Sequence, residues 1–420
     1  MRAARRTLLI ALTLLLPAPA VTAAGAATDL FRERQRAVYQ IRVIDVASGD
    51  KATIGSGFAV SDDGLIATNF HVVSDYVHDP EKYRLEYLAL DDSVGPLTLK
   101  GIDVVHDLAV VKADISGAGH FRLGGGELAQ GDRIYSMGNP RDLGMTIIEG
   151  TYNGYVSVSR YRKILFSGSL NPGMSGGPAM AGSGEIIGVN VSTGGEQISF
   201  LVPVEFLRKL LADVQSRGEQ DPAGFKAGIG AALLADQADF YQEFIARPFK
   251  TEPFGDFSLP VRLTDAVKCW GHTLDDDDDE RYVASHKHCA TEDSIFVRSD
   301  LRTGEFFYDY EWMTPGDLNL SQFYFAVEQR FDHRGHYNVS EADDTGDYAC
   351  ENAFIRLAGH AFKISTCRRG YSEYPGLYDL LLLMVSVDMN DRALLVKLGA
   401  SGIGGSQATR LLRRFLESIQ

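Results

Sequence analysis

A serine set among glycines, one histidine and one aspartate carry the chemistry this sequence can do. Ser175 stands in Asn171-Pro172-Gly173-Met174-Ser175-Gly176-Gly177-Pro178, where the glycines let the backbone take unusual dihedrals and come close to a bound molecule. A serine hydroxyl is a weak nucleophile at neutral pH and needs a general base oriented by a third group. Upstream, Ala67-Thr68-Asn69-Phe70-His71-Val72-Val73 sets His71 at the end of an apolar run read as a strand. His106-Asp107-Leu108-Ala109-Val110-Val111 sets Asp107 at the start of another. His78 and His106 lack the Thr-Asn-x-His context of His71 and are read as surface residues.

The elements that must position these groups are short. From about residue 27 to 204, apolar runs such as Val38–Val46, Leu65–Thr68, Leu108–Val111, Ile134–Met137, Ile186–Val191 and Ile198–Val202 alternate with Gly, Asn-Pro and Asp-Gly punctuation. Regularly spaced short strands with turn signals describe a β-sandwich or β-barrel. With 43 glycines in 420 residues, the composition also favours strands and tight turns. After Pro203, Val204, Leu207, Leu210, Leu211 and Val214 recur at helical spacing and predict one closing amphipathic helix. Residues 218–224 read as a linker, which separates a first unit over 27–217 from a second unit over 225–420.

A net charge of −15 argues against nucleic acid as a partner, because such binding rests on cationic neutralisation of phosphates. Residues 1–26 read as an export signal: basic Arg2, Arg5 and Arg6, an apolar stretch too short to span a bilayer, and a cleavage box at Ala24-Gly25-Ala26. The mature chain is then expected to be exported, periplasmic or secreted, with no integral membrane segment. In that oxidising compartment Cys269, Cys289, Cys350 and Cys367 are expected to form disulfides; of three connectivities, the sequence-near pairs Cys269–Cys289 and Cys350–Cys367 are favoured.

Taken in order, Gly55-Ser56-Gly57-Phe58, Asp63–Val73, Asp107–Lys112, Gly138-Asn139-Pro140, the Ser175 segment, Gly184–Asn190 and Phe200-Leu201-Val202-Pro203 resemble the trypsin-like serine proteases of the HtrA/Deg branch over about residues 38–205. The resemblance implies the all-β chymotrypsin fold, two six-stranded antiparallel barrels with the site between them. It implies Ser175 as nucleophile, His71 as general base, Asp107 as the residue holding the imidazole tautomer, and the amides of Gly173 and Ser175 as an oxyanion hole. Protein or peptide substrates follow, with no metal or organic cofactor. The Gly173–Gly177 pattern also fits the nucleophile elbow of an α/β-hydrolase, but that elbow opens a helix and its histidine follows the serine. Neither condition is met here.

Two features separate this chain from its relatives. Met174 precedes the nucleophile where the branch usually has Asn and digestive proteases have Asp; a thioether cannot pair with a freed N-terminus, so activation by N-terminal insertion is not expected. Ser169, with Leu170 beside it, takes the position at the base of the specificity pocket. Without a buried carboxylate there, Lys or Arg would be desolvated without a partner, so small or medium aliphatic residues before the scissile bond are expected. The other class of function is a catalytically silent protease fold acting as a peptide-binding or chaperone-like envelope factor.

The region 225–420 shows no convincing match to the peptide-binding PDZ modules that usually follow the protease in the HtrA/Deg branch; it reads as a disulfide-containing α+β unit, and oligomeric state is left open. Phe306, Tyr308, Tyr310 and Trp312 alternate on one strand face, read as core rather than a sugar- or peptide-stacking surface. Leu380–Val387 and Leu394–Leu398 predict a hairpin, and Ala408–Ile419 a terminal helix with Ser406 as cap. Cys269-x-x-His272 with His286-x-His288-Cys289 has zinc-like spacing, which disulfide formation explains more simply. Asp275–Asp279 with Glu280 reads as a solvated acidic loop.

Overall fold

Apolar runs of four to ten residues, bounded by turns, leave the first half of the chain little choice but antiparallel pairing. The computed structural model describes residues 24–115, 117, 119–124, 127–216, 222–275, 281–332 and 344–420. Helix α1 (Ala24–Arg34) opens it, so Ala24-Gly25-Ala26 stand in a helix; the rest of the expected signal, residues 1–23, lies outside the described residues. Strands β1 (Val38–Asp45), β2 (Lys51–Ala59), β3 (Leu65–Thr68), β4 (Tyr83–Leu88), β5 (Val94–Pro96), β6 (Thr98–Asp103) and β7 (Leu108–Lys112) form one sheet in the order β5-β4-β1-β2-β3-β7-β6. The Asp63-Gly64 turn between β2 and β3 needs its glycine. Gly64 has φ +91°, and a Cβ there would lie 2.3 Å from the Ala113 carbonyl oxygen.

Strands β8 (Arg133–Gly138), β9 (Thr146–Tyr155), β10 (Ile164–Ser167), β11 (Pro178–Ala181), β12 (Ile186–Gly195) and β13 (Ile198–Pro203) close into a barrel in the order β10-β13-β12-β11-β8-β9. In the first unit β5 and β6 are one run interrupted only at Leu97, whose amide donates to the Leu85 carbonyl at 3.0 Å; β5 pairs with β4 and β6 with β7, so this sheet too rolls up from six strands, as the resemblance implies. Helix α3 (Val204–Ser216), predicted from its periodicity, lies against β6, where a Cβ on Gly101 would come within 2.4 Å of Val214. Between β3 and β4 runs helix α2 (Phe70–His78), burying Phe70, Val72, Val73 and Val77.

Of the expected linker over 218–224, only its last three residues are described, and they lie in a helix. Residues 217–221 lie outside the described residues, and Pro222 already opens α4 (Pro222–Ile245), where its missing N–H costs nothing. Then come β14 (Thr251–Phe254), β15 (Phe257–Pro260), β16 (Val267–Leu274), β17 (Val283–Thr291), β18 (Ile295–Arg298), β19 (Leu301–Thr303), β20 (Phe306–Thr314), α5 (Leu320–Asp332), β21 (Ala349–Leu357), β22 (His360–Gly370), β23 (Leu377–Ser386), β24 (Ala393–Gly404) and α6 (Gly405–Glu417). Seven of these strands make a sheet in the order β16-β17-β20-β24-β23-β22-β21, while β14–β15 and β18–β19 are separate hairpins. Phe306, Tyr308 and Tyr310 are fully buried, against Phe415 of α6, so the alternating aromatics are core. The α6 cap position is Gly404; Ser406 is inside the helix, its hydroxyl bonded to Gln407.

Disulfides Cys269–Cys289 and Cys350–Cys367 join residues directly opposite each other on β16/β17 and β21/β22. With their sulfurs bonded to each other, Cys269 and Cys289 cannot serve as zinc ligands. Of the acidic run, residues 276–280 lie outside the described residues. Among the described residues no helix is long and apolar enough to cross a membrane.

The two halves share one interior. Phe225, Ile229 and Leu233 of α4, Ile295, Val297 and Leu301 of the β18–β19 hairpin, and Tyr371, Tyr374 and Leu377 belong to the same buried cluster as Val72, Val73 and Val77 of α2.

Candidate active site

His71 sits in the first turn of α2 rather than at the end of a strand, the position expected from sequence. The strand β3 ends at Thr68, and Asn69 takes the extended conformation that turns the chain into the helix. Asp107, just before β7, has φ +54°, a left-handed conformation that an aspartate tolerates. In that conformation its carboxylate serves both His71 groups: Oδ1 accepts the His71 backbone N–H at 2.8 Å, and Oδ2 lies 2.6 Å from Nδ1. The Asn69 side-chain amide donates to the Asp107 carbonyl at 2.7 Å, which fixes that turn from the other side. A carboxylate against the N-terminal N–H groups of a helix also gains from the local dipole.

The Ser175 loop is held against the same corner. The Ser56 amide donates to the Ser175 carbonyl at 2.7 Å. A Cβ on Gly176 would lie 2.3 Å from Thr68 Oγ1 and 2.9 Å from the Asn69 nitrogen, so only glycine fits beside the turn that delivers His71. Gly173 has φ +94°, and a Cβ on it would meet the Asn139 carbonyl oxygen at 2.5 Å. The Ser175 hydroxyl itself donates to the Val191 carbonyl at 3.4 Å. His71, Asp107 and Val191 line one cavity of about 410 Å³. The structure thus joins His71 to Asp107 directly and brings the backbone of the Ser175 loop against the same turn.

Two buried polar residues that sequence reasoning passed over hold this loop. Ser56 Oγ donates to the Gly173 carbonyl at 2.7 Å and accepts the Asn139 amide at 3.0 Å. Asn190, fully buried on β12, donates to the Met137 and Met174 carbonyls, each at 3.1 Å, and accepts from Ser136 at 2.8 Å. The signal for Asn190 was an amide inside the apolar run Ile186–Val191, which requires internal partners. Replacing Ser56 with Ala strands a buried carbonyl and a buried amide, each costing about 1–3 kcal/mol. The expected readout is a clear drop in the denaturant midpoint. A midpoint equal to that of the wild type would mean that the loop is anchored elsewhere.

Met174 is fully buried in the core of the barrel with Ile134, Phe166 and Leu170. Leu170, proposed for the specificity pocket, is 8% exposed in that same core, and Ser169 is exposed; neither lines the cavity beside His71. Ser199 pins this stretch, donating to the Gly168 carbonyl at 2.7 Å and accepting the Leu170 amide at 3.2 Å.

His78 and His106 are corrected from surface positions. His106 stacks on Phe206 at 3.8 Å between ring centres and bonds Asp103 at 2.8 Å. His78 bonds the Ser74 carbonyl and the Tyr374 hydroxyl at 2.8 and 2.9 Å, and burial lowers its pKa, with the Ser74 bond opposing.

Residues 55–189 match the trypsin-like peptidase domain family. The chain is 29% identical over 250 residues to a mitochondrial HTRA2 serine protease of Drosophila ananassae, covering 56% of each chain, and 30% identical over 249 residues to that of Drosophila pseudoobscura pseudoobscura, again covering 56% of each. It spans a little over half the length of these relatives. A crystal structure of a serine endoprotease from Yersinia pestis is 27% identical, with a TM-score of 0.40 over 45% of this chain and 66% of that one. The resemblance of the first half to trypsin-like serine proteases of the HtrA/Deg branch is borne out by the family and sequence matches.

Proposed function

We propose that this protein is an exported serine endopeptidase that hydrolyses peptide bonds through an acyl-enzyme on Ser175. The observation that carries this reading is the His71–Asp107 pair, with the Ser175 loop pressed on the turn that presents it. Asp107, accepting from Nδ1, keeps the proton there and leaves Nε2 free to take the serine proton and return it to the leaving amine. For this the Ser175 hydroxyl turns from the Val191 carbonyl to the imidazole. The amides of Gly173 and Ser175 meet the developing oxyanion, a donor of this kind being worth about 3–4 kcal/mol. Met174, sunk in apolar core, supports a loop ordered by packing rather than by an ion pair with a new N-terminus. The substrates are peptides with small or medium aliphatic residues before the scissile bond, the export signal is residues 1–26, and the protease unit spans 27–217.

The test is labelling of the full chain by a fluorophosphonate probe, followed by a peptide-library profile. The expected result is labelling that Ser175→Ala abolishes and a profile without Arg or Lys before the cut. No labelling with or without added peptide would leave the chain a binding protein; a profile dominated by Arg and Lys would refute the pocket assignment.

A further inference from the structure

The cavity beside His71 is lined by residues from both halves of the chain. Its far wall comes from the second half of the chain: Phe296 of β18 stands edge-on to the His71 ring at 5.8 Å between centres and also touches Phe70, at 6.5 Å. The Arg302 guanidinium of β19 lies over the Phe296 ring at 5.5 Å. Opposite them runs β12. It pairs with β13 from Gly188 to Gly195 but with β11 only as far as Val189, so among the described residues the other edge of Val191–Thr193 carries no strand. Such an edge, starting at the acceptor of the Ser175 hydroxyl, is where an extended peptide adds by strand pairing.

Resting on the protease reading above, we propose that the β18–β19 hairpin roofs this edge and that Phe296 is a specificity-determining residue, selecting unfolded segments with an apolar side chain two residues before the scissile bond. A strand laid along Val191–Thr193 points alternate side chains to opposite faces. The side chain facing away from the barrel meets the gap between the imidazole and Phe296. A folded loop cannot reach the edge, because the cavity of about 410 Å³ has the hairpin above it and the barrel below. The roof is fixed rather than swinging. Ile295, Val297 and Leu301 are buried in the shared core, and Asp293, 5% exposed, accepts from Ser159, the Arg160 amide and Lys163 at 2.9, 2.6 and 2.6 Å.

The experiment compares the full-length wild type, Phe296→Ala and Phe296→Leu on a library of unstructured peptides varied two residues before the cut, read as kcat/KM. The same peptides are titrated against each chain carrying Ser175→Ala, read as Kd, and melting temperatures report folding. The wild type is expected to prefer Leu or Val over Gly and Asp. Phe296→Ala should shrink that preference roughly tenfold, mainly through KM and Kd, and Phe296→Leu should restore most of it. An unchanged preference in Phe296→Ala would overturn the proposal. So would an equal gain on every peptide, which would make the hairpin a plug. Peptide selection by the Ser175→Ala chains without fluorophosphonate labelling of the wild type would keep this inference while sinking the catalytic one.

Discussion

Exchanging Asp107 for Asn is expected to lower kcat on a peptide substrate by about 10⁴-fold while leaving the fold intact. The reason is in the two contacts of the carboxylate. Oδ1 accepts the His71 backbone N–H and Oδ2 faces Nδ1, so both oxygens act as acceptors. An amide offers one acceptor and one donor. With its oxygen kept on the backbone N–H, its NH₂ confronts Nδ1, which must then give up its hydrogen. The proton moves to Nε2, and the imidazole can no longer take one from Ser175. The turned-over amide restores the tautomer but sets NH₂ against the His71 N–H, loosening the first turn of α2. Steady-state kinetics with a melting curve decide the matter: a loss under tenfold with an unchanged melting temperature would remove Asp107 from the mechanism.

The second large effect concerns stability. Arg160, in the loop between β9 and β10, has a side chain only 3% exposed. It pairs with Asp236 of α4, donates to the Gly304 carbonyl at 2.9 Å, and lies over the Phe240 ring at 4.0 Å. Burial raises the Asp236 pKa, with the Arg160 charge opposing that shift. Removing the guanidinium leaves a carboxylate, the Tyr161 hydroxyl bonded to it at 2.9 Å, and a carbonyl without their cation. Arg160→Ala is therefore expected to cost about 3–5 kcal/mol, the usual penalty for breaking a buried pair on one side. Adding Asp236→Leu should recover part of it, since an apolar pair of similar volume is often neutral. Chemical denaturation of the single and double variants measures both, and a loss below about 1 kcal/mol for Arg160→Ala would show that the seam is held by apolar packing alone.

The legibility of this molecule followed the range of its interactions. The β-rich character of the first half was readable because each strand is a local apolar run between turn residues, and helix α3 because its buried residues recur every three or four positions. The disulfides were readable because hairpin partners are near in sequence. The way the first sheet rolls up was not, since it depends on one run, β5 continued by β6, pairing with β4 on one side and β7 on the other. Helix α4 was hidden by its surroundings: its apolar residues face both the β-sheet core and α2, so it has no single apolar stripe. His78 read as a surface residue because its partner Tyr374 is about 300 positions away. The site residues stood out by their glycine-rich context, whereas Ser56 and Asn190, although inside matching segments, act through backbone carbonyls of distant segments, which the motifs do not show.

The common interior of the two halves also bears on how such a chain can change over generations. A module tethered by a loose connector can be traded between genes as a cassette. Here a recombination point near residue 220 would part Phe225 and Tyr374 from the valines of the helix bearing His71, and Asp236 from Arg160. Any exchange that survives must carry matching changes on both sides of the cut, so the two halves are inherited as one piece.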